Sequence, residues 1–178
     1  FTDQNFKPDL AAIFDPADFS EYADPNYYAG LEFKRASEIY TEFKIFPDKL
    51  DANSIVQGKL GDCYFLSCLA ALAQVGPERI LRLFKTHETN GAGCYVMSLC
   101  VNGTWQDVVV DDFLPTNQGR LAFGGSKPDA DGKACIWVSL LEKAWAKLNG
   151  NYDRVSMGTV DMGFIHLCGM PSTGLKHE

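Results

Sequence analysis

The apolar run that starts at Cys63 constrains the fold of this chain more than any other stretch. The residues after Cys63 carry almost no polar side chain on any face. A run of this kind predicts a helix that is buried all round. Such a helix needs a core around it, and a chain of 178 residues with 46% hydrophobic content is long enough to form one. The apolar residues of the run are Phe65, Leu66, Leu69, Ala70, Leu72 and Ala73.

Cys63 lies where a polar, glycine-containing turn becomes this helix. The free N–H groups and the positive dipole end of a helix N-terminus stabilise a negatively charged sulfur. Gln57 comes six residues earlier, across a turn loosened by Gly58 and Gly61, so its side-chain amide can fold back beside the sulfur. With the backbone N–H of Cys63 it would form an oxyanion hole, in which one donor is worth about 10²–10³ in rate. The stretch therefore provides a nucleophile and two oxyanion donors, but no base.

Two other interpretations of Cys63 stay open. Most free cysteines are small buried hydrophobic residues, and a cysteine before an apolar helix fits that description. A catalytically inactive relative of an enzyme can also keep its cysteine.

The segment Gln57-Gly58-x-x-Gly61-Asp62-Cys63-aromatic-Phe65-Leu66 resembles the nucleophile segment of the calpain family, which are papain-like cysteine proteases of the cell interior. The resemblance implies an α+β fold, the first half of a papain-like core. A central buried helix would carry the nucleophile, beside flanking helices and an antiparallel β-hairpin. Residues 1–46 would form an N-terminal arm and a segment laid on the core, and residues 47–178 the first half of the protease core. Further segments that resemble the family are residues 33–39, 108–112, 137–147 and 149–152.

The implied activity is that of an intracellular calpain-type cysteine endopeptidase, which hydrolyses peptide bonds through a thioester on Cys63. In the family, the catalytic His and Asn come from a second half-domain further along the chain. We therefore expect His87, His166 and His177 to be surface or structural residues, and this chain alone to be inactive. The alternative for His166 is a local base. The expected partners are protein substrates and the second catalytic half-domain of the same parent chain.

Two alternatives of other kinds remain. One is a non-catalytic calpain-like domain with an interaction or regulatory role. The other is a transglutaminase-like fold, which also places a cysteine before an aromatic residue at a helix start. The segment from Leu141 to Tyr152 argues against the second of these.

The resemblance also assigns substrate-contacting positions. Tyr64 stands where the family usually has tryptophan and would line the cleft beside the nucleophile. Ser156-Met157-Gly158 matches the place where calpains carry Ser-Gly-Gly, so Met157 and Gly158 would line the non-primed cleft. The backbone there would pair with an extended substrate as an added strand. Met157 adds a side chain where the family has glycine, which changes the depth of that cleft.

Calcium is a cofactor that the resemblance raises but that the residues do not match. The classical ligand positions of a first-half calcium site are occupied here by Ser54 and Cys135. A hard cation prefers oxygen ligands, carboxylates among them, so a hydroxyl is a poor donor and a thiol is the wrong type. Asp129 and Asp131 in a neighbouring loop could substitute, although nothing in the sequence fixes them. We expect no classical calcium binding by this half.

Composition excludes some partners and indicates a compartment. A net charge of −7 argues against nucleic-acid binding, which depends on basic contacts to phosphate. No run of eighteen apolar residues occurs, so no membrane span is predicted. The six cysteines form no Cys-x-x-Cys pair, and several lie in apolar runs, which is typical of reduced thiols in the cytoplasm.

Periodicity predicts the strands that follow the central helix. Alternating apolar residues from Cys94 predict a strand, and Asn102-Gly103 a tight hairpin turn, because both residues tolerate positive φ. Pro115 should end the return strand because it cannot extend a ladder. Residues 115–134 should then form a long loop.

Helices and the arm complete the expected elements. The central helix should end near Gly76, and a second should run from Pro77 to about Lys85. Residues 136–148 predict an amphipathic helix with one apolar stripe. The arm should be anchored on the core by aromatic residues, namely Phe1, Phe6, Phe14 and Phe19.

Overall fold

The structure is a computed structural model that describes residues 1–15 and 25–172. Within these residues the α-helices are α1 (Leu10–Ile13), α2 (Ala36–Ile39), α3 (Cys63–Val75), α4 (Glu78–Leu81), α5 (Trp137–Asn149) and α6 (Val160–Cys168). Short 3-10 turns lie at Pro25–Tyr28, Ala52–Ser54 and Asp153–Val155. The strands are β1 (Leu31–Arg35), β2 (Phe43–Lys44), β3 (Ile55–Val56), β4 (Cys94–Val101), β5 (Thr104–Asp111), β6 (Phe113–Asn117), β7 (Arg120–Leu121), β8 (Gly125–Ser126) and β9 (Ala134–Cys135).

Helix α3 begins at Cys63 and ends before Gly76, as predicted. The expectation that it is buried all round is wrong. Cys63, Ser67 and Gln74 are exposed and recur at helical spacing, so they form one solvent-facing stripe. The buried apolar residues lie on the remaining faces of the helix. Ala70 and Ala71, between Ser67 and Gln74 on the stripe, are partly exposed. The candidate nucleophile lies at the head of this open stripe.

Helix α5 is more buried than its sequence predicts. Its sequence predicts one apolar stripe, yet every residue from Trp137 to Ala146 is buried, including Glu142 and Lys143. The Trp145 ring stacks on the Phe65 ring of α3, with centroids 5.3 Å apart and an interplanar angle of 3°. Helix α5 is therefore the more completely buried of the two long helices, and α3 packs against it with one side open.

The β4–β5 hairpin is confirmed. Its strands pair antiparallel in the register Cys94↔Asp111 to Val101↔Thr104. The two turn residues have positive φ, 51° at Asn102 and 78° at Gly103. Helix α4 is shorter than predicted because the chain after it joins the hairpin, where the Ser98 N–H donates to the Leu83 carbonyl at 2.7 Å.

Pro115 does not end a strand, which corrects the prediction. It lies within β6, which is the central strand of a three-stranded sheet in the order β1–β6–β7. Pro115 pairs with Phe33, and its carbonyl accepts from the Ala122 N–H at 2.9 Å. In an antiparallel strand, the N–H and C=O of one residue face the same side. The missing N–H of Pro115 therefore faces away from β1, toward the side where β7 has already ended.

The predicted loop at residues 115–134 is also more ordered than expected. Strands β7, β8 and the start of β9 lie in it. Strand β9 pairs with β2 in parallel, and β8 pairs with β3 in antiparallel fashion. These short pairs hold the segment before the candidate site against the segment before α5.

Part of the aromatic anchoring of the arm is confirmed. Phe6 and Phe14 are buried in the core, and the Phe14 ring stacks on Tyr28 with centroids 5.8 Å apart. Phe1 is 47% exposed, so it is not an anchor of the kind predicted. The chain is held near Phe1 by main-chain groups instead, since the Arg35 guanidinium donates to its carbonyl at 2.5 Å. Phe19 lies outside the described residues.

The fold class is α+β, with mixed helices and small sheets, as predicted. Core residues come from the arm, α3, α5, α6 and the hairpin. No helix in residues 1–15 and 25–172 has the length and apolar character that crossing a membrane requires.

Candidate active site

Cys63 is the first residue of α3, and it is exposed as a free thiol. The next three residues, Tyr64, Phe65 and Leu66, are all buried. The sulfur of Cys63 therefore lies on the surface, while the buried residues that follow fix the backbone of the helix start. First-turn N–H groups of a helix have no acceptor within that helix, so the backbone at Cys63 offers donors to an anion at this point.

The turn before Cys63 is held against the chain near Phe123. A Cβ on Gly58 would lie 2.2 Å from the Phe123 carbonyl carbon, so only glycine fits this approach. The Lys59 N–H donates to the Ala122 carbonyl at 2.7 Å. Gln57 stands at the beginning of this turn, directly after β3, and its side chain folds back toward the helix start as the sequence suggested.

The amide of Gln57 makes two hydrogen bonds inside the chain. Its Nε2 donates to the Leu60 carbonyl at 2.5 Å and to the Asp62 Oδ1 atom at 3.2 Å. A primary amide has two N–H groups, so both are engaged. One of them must be shared or released before Gln57 can serve an oxyanion.

Asp62 and Glu142 are site residues that the sequence analysis missed. Both are buried, and each carboxyl group is close enough to shift the pKa of the other. Burial raises the pKa of Asp62 to about 6, while its hydrogen bonds with Glu142 and Gln57 oppose the rise. Burial, and then the charge of Asp62, raise the pKa of Glu142 well above its ordinary value. The available signal was two adjacent charged residues, Glu142 and Lys143, between the apolar residues Leu141 and Ala144.

Tyr64 is only 7% exposed, so its ring lies beneath the surface beside Cys63. The Trp145 Nε1 donates to the Tyr64 hydroxyl at 3.1 Å. Gly158 covers the ring, because a Cβ there would lie 2.5 Å from the Tyr64 Cζ atom. A large side chain at position 158 is therefore excluded. A direct contact of Tyr64 with substrate stays a prediction.

Residues 157 and 158 lie beside the turn that carries the nucleophile. The Met157 N–H donates to the Gly61 carbonyl at 2.9 Å. The Met157 side chain is 66% exposed, and its φ of 71° is in the left-handed region that favours glycine. The glycine that the family resemblance puts at this position thus has a backbone reason. Gln57, Cys63, Tyr64, Met157 and Gly158 are brought to one part of the molecule.

The histidines have other contacts. His166 in α6 has its Nδ1 at 2.8 Å from the Met162 carbonyl, and its ring packs on Trp145 with centroids 4.6 Å apart. His87 is exposed, with its ring 5.9 Å from that of Phe46. His177 lies outside the described residues. A local-base role of His166 stays a prediction, and its Nδ1 is occupied by the helix carbonyl.

Ser54 and Cys135 both approach residues 126–127, yet neither offers a ligand for a hard cation. The Ser54 hydroxyl donates to the Asp51 carbonyl at 2.6 Å. Cys135 is buried, and burial raises the pKa of its thiol to about 11, so the sulfur is protonated. These residues do not fit calcium. Across the described ranges, no group of three or more His, Cys, Asp or Glu residues is arranged to hold a metal ion.

Asp129 and Asp131 are fixed in place, contrary to what the sequence suggested. The ammonium group of Lys44 contacts both carboxylates and that of Asp48. The Asp48 N–H also donates to Asp129 at 2.7 Å. The pKa of Asp129 is lowered to about 2, chiefly by its hydrogen bond with Lys44. A lysine of the chain itself thus neutralises this acidic loop.

The fold is that of a half-domain of a cysteine-protease core. The sequence model of the calpain family cysteine proteases matches residues 1–178. The calpain-type cysteine protease ADL1 of Oryza sativa subsp. japonica is 37% identical over 177 residues, which cover 95% of this chain and 8% of that protein. The calpain-1 catalytic subunit of Sus scrofa is 37% identical over 142 residues, which cover 79% of this chain and 19% of that protein.

This chain belongs to the calpain family of cysteine proteases. It spans less than a fifth of the length of these two relatives.

Proposed function

We propose that this segment supplies the nucleophile half of a calpain-type cysteine endopeptidase. The observation that carries the proposal is the exposed thiol of Cys63 at the first residue of α3, with the amide of Gln57 bonded in the turn just before it. A nucleophile fixed at a helix start beside oxyanion donors is what acyl transfer requires.

The reaction runs through a thioester. The Cys63 sulfur bonds to the carbonyl carbon of the peptide, and the negative charge moves to the carbonyl oxygen. The Gln57 amide and the Cys63 N–H hold that oxyanion. The carbon–nitrogen bond then breaks, the amine leaves with a proton, and water hydrolyses the thioester. A histidine oriented by an asparagine, both in a second half-domain of the same protein, takes the proton from sulfur and gives it to the amine.

The substrates are proteins presented as extended chains. The exposed edge at Met157 and Gly158, bonded to the turn before Cys63, supports this, because an extended peptide can add to such an edge. Tyr64 forms the floor of the cleft under Gly158. The protruding Met157 side chain narrows the entrance relative to a glycine.

Within this assignment, residues 1–46 act as the arm and segment laid on the core, and residues 47–178 as the first catalytic half. The free state of all six cysteines supports a reducing, cytoplasmic setting. No step of the reaction is routed through calcium, because Ser54 and Cys135 do not suit that cation.

A non-catalytic calpain-like interaction domain is the second candidate. One observation favours it, namely that both N–H groups of Gln57 are bonded within the chain and none is left for an oxyanion. The two candidates differ in whether an incoming carbonyl displaces the Asp62 contact.

The test is proteolysis of an unstructured protein substrate by the full-length protein, with calcium and with chelator. A Cys63→Ala variant with an unchanged melting temperature is the control. We expect cleavage that disappears in the variant. Absence of cleavage by the folded wild-type protein in both buffers would favour the non-catalytic domain.

A further inference from the structure

We infer that Asp62 and Glu142 form a carboxyl pair that shares one proton and positions the amide of Gln57 for the oxyanion. This inference rests on the proposed endopeptidase function. Asp62 and Glu142 are positioning residues in this account, since they act through Gln57. The stability of the core does not require two buried acids, and the inference explains why they are there.

The first step is the geometry at Gln57. Its amide is fixed by two acceptors, the Leu60 carbonyl at 2.5 Å and Asp62 Oδ1 at 3.2 Å. The contact with Leu60 is the shorter one and joins residues of the same turn. The contact with Asp62 is longer, so the N–H that makes it is the one an oxyanion can take over. Asp62 thus holds this N–H in the absence of substrate and keeps the amide from rotating away.

The second step is the missing donor at Asp62. The residue is fully buried, and no protein group among the described residues hydrogen-bonds to its Oδ2 atom. A buried carboxylate oxygen without a donor is costly. The carboxyl group that Asp62 meets is that of Glu142. A proton on Glu142 supplies the donor that Asp62 lacks, and two carboxylates in contact cannot both be ionised at low cost.

The third step is the support of Glu142. The Gly124 N–H donates to its Oε1 at 2.9 Å and its Oε2 at 3.1 Å. A Cβ on Gly124 would lie 2.5 Å from Glu142 Oε1, so the backbone approaches closely only because residue 124 is glycine. The Ser139 hydroxyl in turn donates to the Gly124 carbonyl at 2.8 Å. The Glu142 carboxyl is therefore held in place by the backbone of Gly124, which Ser139 holds in turn.

The fourth step is the location of the proton. Both pKa values are raised by burial, and that of Glu142 is raised further by the charge of Asp62. Near neutral pH the proton lies on Glu142, and Asp62 is a carboxylate that accepts from Glu142 and Gln57. Other ionisable groups that face the pair are Tyr64 and Tyr152, whose raised pKa values, caused chiefly by burial, keep both neutral. The charge of Asp111, paired with Lys143, also acts on Tyr152.

A double-mutant cycle on the full-length protein tests the pair. The kcat and KM for one peptide substrate are measured for the wild type, Gln57→Ala, Glu142→Leu and the double variant at pH 7. Glu142→Leu removes the shared proton, so kcat should fall at least about tenfold. KM should change little, because an oxyanion donor acts in the transition state. In the Gln57→Ala background, Glu142→Leu should cause no further fall, since no amide is left to position.

Equal losses of kcat in both backgrounds would overturn the inference, because a general structural role predicts that result. The conservative variant Glu142→Gln is the rescue. Its amide can donate to Asp62 and accept from the Gly124 N–H, so its kcat should exceed that of Glu142→Leu by about tenfold. We also expect kcat of the wild type to fall when Glu142 loses its proton as pH rises, and this fall should be absent in Glu142→Gln. A Glu142→Gln variant as slow as Glu142→Leu would contradict the shared proton.

A second measurement does not depend on peptidase activity. The carboxyl carbon of Glu142 is followed by NMR across pH in the full-length protein, and Glu142→Gln assigns the signal. We expect a protonated carboxyl at pH 7. An ionised Glu142 at that pH would overturn the pair whether or not the protein cleaves peptides. A protonated Glu142 in a protein that cleaves nothing would reject the endopeptidase function and support the pair.

Discussion

Glu142 and Lys143 are neighbours in α5, both are buried, and they have opposite surroundings. Lys143 meets a carboxylate of opposite charge, Asp111, at 2.5 Å. Glu142 meets a second acid, Asp62. Glu142 and Lys143 are adjacent in the helix, yet one meets a like group and the other an opposite charge. One side of α5 carries a satisfied ion pair, and the other carries a pair of like groups.

The Lys143 side is a structural network. Lys143 also donates to the Phe113 carbonyl at 2.6 Å, and Asp111 accepts from the Asp3 N–H at 2.7 Å. The Asp3 carboxylate in turn contacts Lys147 at 2.5 Å. The network therefore joins α5, the end of β5, the start of β6 and the N-terminal arm.

The Glu142 side lies under the candidate active site. It costs desolvation without an opposite charge to offset it, and it leaves an oxygen of Asp62 without a protein donor. Sequences violate local rules of this kind chiefly at functional sites. The burial of Lys143 is explained by its ion pair with Asp111, which stabilises the fold. The burial of Glu142 has no such explanation and indicates a functional role.

The largest effect should come from breaking the structural pair. Lys143→Met leaves Asp111 buried without its counter-ion, so the free energy of unfolding should fall by about 3–5 kcal/mol. Urea unfolding measures it. The control is Lys85→Met, whose ion pair with Asp107 is half exposed and should contribute no more than about 1 kcal/mol. Equal losses for both variants would remove the distinction between a buried and a surface pair.

Disruption of the Asp62–Glu142 pair should instead stabilise the protein at neutral to alkaline pH. The pKa values of Asp62 and Glu142 are raised in the folded state, so the folded protein binds more protons than the unfolded chain. The pair therefore costs least at acidic pH, and stability is lost as pH rises from about 4 through the folded pKa values. Glu142→Gln removes the Glu142 part, so the variant should be more stable than the wild type at pH 8, and the difference should shrink as pH falls toward 4.

Melting temperatures from pH 4 to pH 8 check this prediction. The exposed residue Glu88 supplies the matched control, since Glu88→Gln should leave the pH dependence unchanged. A Glu142→Gln protein that is less stable than the wild type at pH 8 would mean that Glu142 is ionised and favourably paired.

A smaller effect should come from the strained backbone at the edge of the site. Met157 has a φ of 71° and an exposed side chain, so Met157→Gly relieves strain and loses little packing. The unfolded chain gains entropy from glycine, which leaves a net stabilisation of up to about 1 kcal/mol. Asn102→Gly, at a φ of 51° in the hairpin turn, is the comparison. It should stabilise less, because asparagine already tolerates this region.

The smallest effect should appear at the surface cluster around Lys44. Lys44→Met leaves Asp48, Asp129 and Asp131 without their common cation. The three carboxylates then repel one another, so the melting temperature of the variant should rise more with sodium chloride concentration than that of the wild type. An equal salt response of the two proteins would show that Lys44 does not hold the three carboxylates together.

Local sequence patterns predicted the elements that depend on neighbours in the chain. The boundaries of α3 and the Asn102-Gly103 turn follow from apolar periodicity and from residues that tolerate positive φ. The position of Cys63 at a helix start followed from the same run. These features need no knowledge of what lies across the core.

Long-range contacts account for what the sequence did not predict. Pro115 sits in a central strand because its missing N–H faces a side where the neighbouring strand has ended. Asp62 and Glu142 meet across 80 positions of sequence, and no period links them. The relative burial of α3 and α5 was reversed, because hydrophobic pattern describes a helix but not what surrounds it.

Trapping the acyl-enzyme tests the central claim most directly. The full-length protein is mixed with a slowly hydrolysed peptide ester, quenched in acid and mapped by mass spectrometry. We predict one acyl group on the peptide that contains Cys63, none there in Cys63→Ala, and formation slower by about 10²–10³ in Gln57→Ala. A protein that cleaves its substrate while the acyl group is absent, or is attached to a different cysteine, would contradict the account.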